Sequence, residues 1–399
     1  MLSAADAEAL VLARVAALPS IGVERVALGD ARGRVLAAAV VAARPLPGFD
    51  NAAMDGYAVR AADVPGTLPI ASAVAAGATR VAPLVAGTAA RILTGAPMPP
   101  GADAVVLQED VEVVGARVTL PAATHGENVR RAGEDVAIGE LAVCAGVRLG
   151  VGELGLLAAL GAGEVAVGRA PRVAVIATGD ELVDVSVAPQ PGQLVDSSAY
   201  ALAAAIADAG GTVVRREIVR DDAAAIAAAV AAALRDCDAV VTTGGVSVGD
   251  RDHVRAALAA AGCRLEAWKV AMKPGKPFAF GHDGRAPVFG LPGNPVSAVV
   301  AFELFVRPAL LAMQGAAVVT RSRAPVALAS GYRKAAGRAH YLRARVTRDD
   351  GQLVARTHAK QGSAMLSSLV GCNALVEIAA DVTAVRDGEL APALLLEAV

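Results

Sequence analysis

The run DAVVTTGGVSVGDRD, Asp238 to Asp252, decides the fold. Its first half is an unbroken apolar stretch, as a strand covered on both faces requires. Its second half opens into Gly244, Gly245 and Gly249, with Ser247, Asp250 and Asp252 among them. Glycines at a strand end let another group approach the backbone closely. Acids beside them suit a hydrated metal or a polar ligand. No lysine completes a nucleotide P-loop.

Working outward, RVAVIAT (Arg172 to Thr178), TVVRREIV and APVFGLPG read as further strands of the same kind. Helical runs lie between and after them: SSAYALAAAIADAGG with its glycine stop, DDAAAIAAAVAAAL, DHVRAALAAAG and NPVSAVVAFELFVRPALLAM. This alternation from Arg172 to about Gly315 predicts a mostly parallel, doubly wound sheet covered by helices. Ligands of such sheets sit beyond the carboxyl ends of the strands.

The flanks differ in pattern. An S-x-x-D cap at Ser3 and Asp6, ahead of Leu10, Leu12, Val15 and Leu18, predicts an opening helix. RPLPGFDNAAMDGYAVR (Arg44 to Arg60) reads as a punctuated loop running into a short alternating strand. From Val59 to about Val143, short Val-rich runs separated by turn residues predict a small β-rich module. GVGELGLLAALG (Gly150 to Gly161) is helical, and the chain beyond Gly315 returns to short strands such as AHYLRARVTR and ALVEIA.

Composition excludes several function classes. At 399 residues the chain is too long for one core. Net charge is −2 with no Lys/Arg block, so neither nucleic acid nor an anionic membrane is an expected partner. The opening residues lack a basic region followed by an apolar one, so no signal peptide is expected. Cys144, Cys237, Cys263 and Cys372 form no C-x-x-C pair and read as reduced thiols of a cytoplasmic protein. Five histidines show no H-E-x-x-H, which argues against zinc and leaves a hard cation on carboxylates.

Four segments are expected at the strand ends of the α/β domain: ATGDEL (Ala177 to Leu182), RDD (Arg220 to Asp222), GGVSVGDRD and LPGNP (Leu291 to Pro295). Sharing one sheet edge makes them neighbours. Pro292, Gly293, Asn294 and Pro295 read equally as a plain helix start, with Asn294 as cap, or as an anion site at the helix N-terminus. One of Asp221 and Asp222 is explained by capping alone. Pooled, Glu181, Asp221 and Asp252 suit Mg²⁺, which prefers oxygen ligands and keeps waters for a phosphate-like ligand. WKVAMKPGKPFAFG (Trp268 to Gly281) is expected to be a rigid loop presenting Lys269, Lys273 and Lys276 for phosphate or oxyanion capture. In the β-rich module Asp55, Thr94, Asp103, Glu134 and Asp135 lie in loops, and Asp55 before Gly56 is by itself a common turn residue.

Taken in order, DNAAMDGYAVR, TGAPMPPGADAVV, RRAGEDV, ATGDEL, TTGGVSVGDRD, MKPGKPFAFG, LPGNPVSA and QGSAMLSSL resemble the bacterial molybdopterin molybdenumtransferases, the MoeA family, nearly from end to end. The animal counterpart is the C-terminal part of gephyrin. The resemblance implies an α/β multidomain protein: an elongated dimerisation domain from residues 1–43 and 140–170, a β-rich lid at 44–139, a three-layer α/β molybdopterin-binding domain at 171–316 and a C-terminal β-barrel-like domain at 317–399. It further implies a cytoplasmic homodimer whose cleft lies between the α/β domain of one subunit and the lid side of its partner.

The implied reaction inserts molybdate into adenylylated molybdopterin, releases AMP and requires Mg²⁺. Carried over residue by residue, Asp55, Thr94, Asp135, Glu181, Lys273 and Lys276 would act in catalysis. Gly244, Gly245, Ser247, Pro292, Gly293, Asn294 and Pro295 would bind the pterin phosphate. Glu181, Asp221 and Asp252 would hold the metal. Expected partners are the two substrates, a second copy of the chain, the molybdopterin adenylyltransferase and molybdoenzyme maturation factors. Two departures stand out: Ser198 replaces the asparagine usual after VDS, and CNAL replaces Ala-Asn-Gly-Leu near the C-terminus. Alternative readings are a cofactor scaffold or carrier and a tungsten-inserting paralogue. The sister adenylyltransferase is disfavoured because it carries Gly-Gly-Thr-Gly where Gly244 to Ser247 stand here.

Overall fold

The structure, a computed structural model of the chain, describes residues 1–245 and 253–397, without the side chains of His253 and Trp268. The expected roles of Ser247, Asp250 and Asp252 therefore lie outside the described residues.

A six-stranded sheet forms the centre, in the order Thr212–Val219, Arg172–Thr178, Ala239–Thr243, Pro287–Leu291, Ala279–His282 and Arg264–Trp268. The first four strands are parallel, and the last two join antiparallel. Val173 to Ala177 and Ala239 to Val241 are buried, as strands covered on both faces must be. On one face Ile226, Val230 and Leu234 of helix Ala223–Asp236 pack with Val254 and Leu258 on Ala174, Ile176 and Val240. On the other, helix Ser198–Asp208 and the long helix Pro295–Met313 cover Val173, Val175 and Val241. Each buried Val, Leu or Ile contributes roughly 1.5–3 kcal/mol relative to exposure. The long helix has 19 residues and is apolar enough to span a membrane, but 78% of its most apolar window is buried inside the protein. It is a core helix.

The expectation of a loop from Trp268 to Gly281 needs correction. Trp268 ends one strand, Ala279 begins another, and Met272–Lys273 is a short strand of its own. Phe278 and Phe280 pack on one side of the sheet and Ala279 on the other. The lysines and prolines of this segment had masked that apolar alternation.

The N-terminal helix, Ala4–Ala17, is capped by the Ser3 hydroxyl, which accepts from Asp6 N at 3.0 Å. Its buried face is Ala4, Ala7, Val11 and Val15 rather than the leucines, and it packs into the α/β core. Strand Val23–Ala27 pairs with Glu164–Gly168, and Val40–Val41 with Leu141–Val143. Between them runs the β-rich module, six strands ordered Ala104–Leu107, Gly56–Val59, Ala89–Ile92, Gly66–Val74, Arg117–Leu120 and Glu112–Val114. Gly56–Val59 does not alternate: all four residues are buried, because two strands flank it and each face carries its own apolar cluster.

Toward the C-terminus five strands close on themselves in the order Ala339–Asp349, Gln352–Thr357, Arg323–Leu328, Leu390–Leu395 and Ala374–Ile378, the last pairing back to the first. Val326, Leu328, Leu342, Val346 and Val376 fill this barrel.

Candidate functional site

A cleft of about 630 Å³ opens at the carboxyl edge of the parallel strands. Its wall includes Thr178, Gly179 and Glu181 after one strand, Asp221 after the next, and Gly244 and Gly245 after the third. Pro292 to Pro295 follow the fourth. That size suits a small-molecule ligand. A second cavity of about 430 Å³ lies between the N-terminal helix and Met313, and Arg285 is the one charged residue among its described lining.

Gly244 has φ +87°, and a Cβ there would lie 2.2 Å from the Thr178 carbonyl oxygen. Gly245 has φ +61°, and its Cβ would meet Val254 at 2.8 Å and Asp221 Oδ1 at 3.4 Å. Neither position admits a side chain, so backbone alone faces the cleft there. The Thr178 hydroxyl donates to Thr243 O at 3.2 Å and joins two strand ends.

The two aspartates before the helix divide their duties. Asp222 is the cap, its carboxylate accepting from Ala225 N at 2.9 Å. Asp221 is left over, with Oδ1 buried and without a hydrogen-bond partner among the described residues. A buried carboxylate oxygen in that state calls for a donor or a cation. Glu181 is exposed and folded back over Gly179. Asp180 Oδ1 accepts from Asp221 N at 3.4 Å. These donors are oxygen only, and with the orphaned Asp221 oxygen they fit a hard divalent cation. Among the described residues no group of three acid, histidine or cysteine side chains forms a closed metal cage.

Asn294 does not cap the long helix with its side chain, as one sequence reading had it. Its Nδ2 donates to Ser363 Oγ of the C-terminal part at 3.1 Å, and Ala364 joins the cleft wall. Ser198 Oγ donates to Gly293 O at 3.5 Å, so the serine that stands in place of asparagine still touches the turn. Lys273 is exposed and Lys276 half-buried; neither lines the cleft, but Pro277 of the same segment does.

Asp55 and Thr94 meet in the β-rich module. The Thr94 hydroxyl and backbone N both donate to Asp55 Oδ1 at 2.6 Å. These two bonds, the hydroxyl first, hold the carboxyl below its usual range. Asp135 is exposed, its backbone N donating to Leu46 O at 3.0 Å. None of Asp55, Thr94 and Asp135 lines the sheet-edge cleft of the same chain.

Residues 2–161 match the family described as MoeA N-terminal region (domain I and II), residues 174–312 the "Probable molybdopterin binding domain", and residues 325–396 the MoeA C-terminal region (domain IV). Molybdopterin molybdenumtransferase 1 of Mycobacterium tuberculosis is 39% identical over 396 residues, covering 92% of this chain and 93% of that one. The molybdopterin molybdenumtransferase of Haemophilus influenzae is 36% identical over 368 residues, covering 91% of each. The chain belongs to the MoeA family. A crystal structure of the molybdopterin biosynthesis MoeA protein from Pyrococcus horikoshii OT3 superimposes on this MoeA chain with a TM-score of 0.85 at 31% identity. That match covers 99% of this chain and 100% of the other.

Sequence reasoning missed part of this family member's cleft. Thr178 and Thr243, inside the segments ATGDEL and TTGGVSVGDRD but not singled out there, line it, and so does Asp196, which is buried and accepts from Ala199 N at 3.0 Å. A D-x-x-A start to the helix in VDSSAY was the available signal. Ser363 and Ala364 lie in QGSAMLSSL, which entered only through the family resemblance, and no helix or strand pattern tied them to the sheet edge.

Proposed function

We propose that this chain is a molybdopterin molybdenumtransferase, inserting molybdate into adenylylated molybdopterin with release of AMP. The observation that carries the reading is the orphaned Asp221 oxygen in a sheet-edge cleft walled by Gly244, Gly245 and Pro292 to Pro295. Relatives that share more than nine-tenths of the chain bear that name.

Gly244 and Gly245 give a flat ligand room against the backbone. The helix beginning at Pro295 offers free N–H groups and a positive dipole end to a phosphate. Lys273 and Lys276 offset the charge of the incoming oxyanion and of the leaving AMP. A molybdate oxygen attacks the adenylate phosphorus, the phosphoanhydride bond to the pterin phosphate breaks and AMP leaves carrying that oxygen. No side-chain nucleophile is therefore needed, and the protein's contribution is placement and charge balance. Mg²⁺, when bound, screens the phosphate charge, with Glu181, Asp221 and, from the sequence pattern, Asp252 as its ligands. Asp55, Thr94 and Asp135 act from the partner subunit's lid in this reading, which their absence from the cleft wall supports. A cytoplasmic homodimer is part of the same proposal. The paired and exposed Val41 and Leu141, together with Ile138 and Val151, offer apolar surface for it. The adenylyltransferase and molybdoenzyme maturation factors are the proposed upstream and downstream partners.

The test is AMP release by the purified protein from adenylylated molybdopterin, omitting Mg²⁺ or molybdate in turn and replacing molybdate by tungstate. The expected result is release that needs both additions. Tight binding with the adenylate left intact would make the protein a carrier and overturn the proposal.

A further inference from the structure

The lysine-bearing segment is gripped from outside the α/β domain. Its neck is closed internally by Val270 N donating to Lys276 O at 3.0 Å. Ala271 N donates to Leu2 O at 2.8 Å, and Leu2 bridges Val270 in parallel. On the other side Met272–Lys273 pairs in parallel with Ala339–His340 of the barrel, and Ala339 N donates to Ala271 O at 2.9 Å.

Residues in register on neighbouring strands project to the same face, so Lys273 and His340 share one. Lys273 is exposed and forms no ion pair among the described residues. His340 is 6% exposed, its Nδ1 lies 2.9 Å from the Tyr332 hydroxyl, and the two rings meet edge-on at 5.8 Å. Burial pushes the imidazole down to about 4, and the nearby charges of Lys273, Lys334 and Arg338 act in the same direction. At neutral pH an uncharged ring thus lies among three cations. It packs there without adding a fourth positive charge beside the Lys273 ammonium.

We propose that His340, held by Tyr332, is a positioning residue that fixes the Lys273 strand beside the cleft so that the lysine is presented to an oxyanion. This rests on the transferase reading above. His340 touches no reacting atom in this account; it acts through Lys273.

The test uses the full chain carrying His340→Ala, His340→Asn or Tyr332→Phe, with two independent readouts. The first is the acetylation rate of Lys273 by acetic anhydride, mapped by mass spectrometry with Lys360 as internal reference. The second is KM for molybdate and kcat of AMP release. In His340→Ala the Lys273 rate should change about threefold or more while Lys360 stays constant. kcat/KM for molybdate should fall about tenfold, because Lys273 offsets charge on both the incoming oxyanion and the leaving AMP, and His340→Asn should recover part of the loss. A folded His340→Ala protein with wild-type Lys273 labelling would overturn the proposal. Should that variant not fold, Tyr332→Phe, which removes only a hydroxyl, decides by the same labelling criterion. Failure of the wild type to release AMP would sink the transferase reading alone, because the labelling result stands without it.

Discussion

At the scale of single residues, adjacent acids behave differently because the backbone satisfies one and not the other. Asp222 is absorbed by a helix end, and Asp221 is left with a buried oxygen that no described residue satisfies. The sequence made it legible that one of the pair was structural, but which one depends on where the helix begins. Asp55 shows the converse case. Read alone it is a turn residue, yet Thr94, far along the chain, donates to it twice. Its folded pKa is lowered, so this bonding contributes stability above the unfolded value of about 3.9 and loses it as pH falls through the folded one. Thr94→Val removes the larger of the two causes. The Asp55 carboxyl, followed by NMR with labelled aspartate, should then titrate at higher pH than in the wild type. The wild type's stability advantage over the variant should be constant near neutrality and shrink below about pH 4. An unchanged titration would mean that the hydroxyl bond does not form in solution.

At the scale of elements, the alternation of apolar runs and Ala-rich helices made the parallel half of the sheet legible from Arg172 to Leu291. The antiparallel pair Arg264–Trp268 and Ala279–His282 was not legible, because prolines and lysines interrupt the pattern between them. Pro274 and Pro277 do forbid a helix there, but they leave short strands open on either side. The opening helix was correctly bounded by its cap, while its buried stripe was misjudged. Alanines at positions 4 and 7 are buried in the α/β core with Val11 and Val15, a face that a search for large apolar side chains passes over. Helix Ala223–Asp236 is held by its buried stripe of Ile226, Val230, Ala233 and Leu234 and by the Asp222 cap at its start. Asp222→Ala should lower stability by about 1 kcal/mol in urea unfolding. AMP release at saturating substrate should stay within about twofold, because Asp222 faces its own helix rather than the cleft.

At the scale of the molecule, the cleft is assembled from parts that only the complete fold brings together. Asn294 reaches Ser363 of the barrel unit, the barrel strand Ala339–Asp349 carries the Lys273 strand at its end, and Leu2 closes the other side. A second tie is the Glu303 carboxylate, which binds Arg321 through two bonds while Arg321 also donates to Leu396 O. These contacts explain why the four strand-end segments were legible as one site while its barrel wall was not. Strand order follows from local patterning, but docking between separate cores leaves no periodic trace in sequence. In the proposed reaction this sheet-edge cleft is where the adenylate is converted, with the buried Asp221 oxygen as the atom that meets a ligand or cation there. The most direct measurement is a single turnover with the wild type and Asp221→Asn side by side, following bound adenylylated molybdopterin and free AMP at saturating molybdate and Mg²⁺. The variant should bind the adenylate but release AMP at least about a hundredfold more slowly. Wild-type release from a folded Asp221→Asn protein would contradict it and place the chemistry elsewhere.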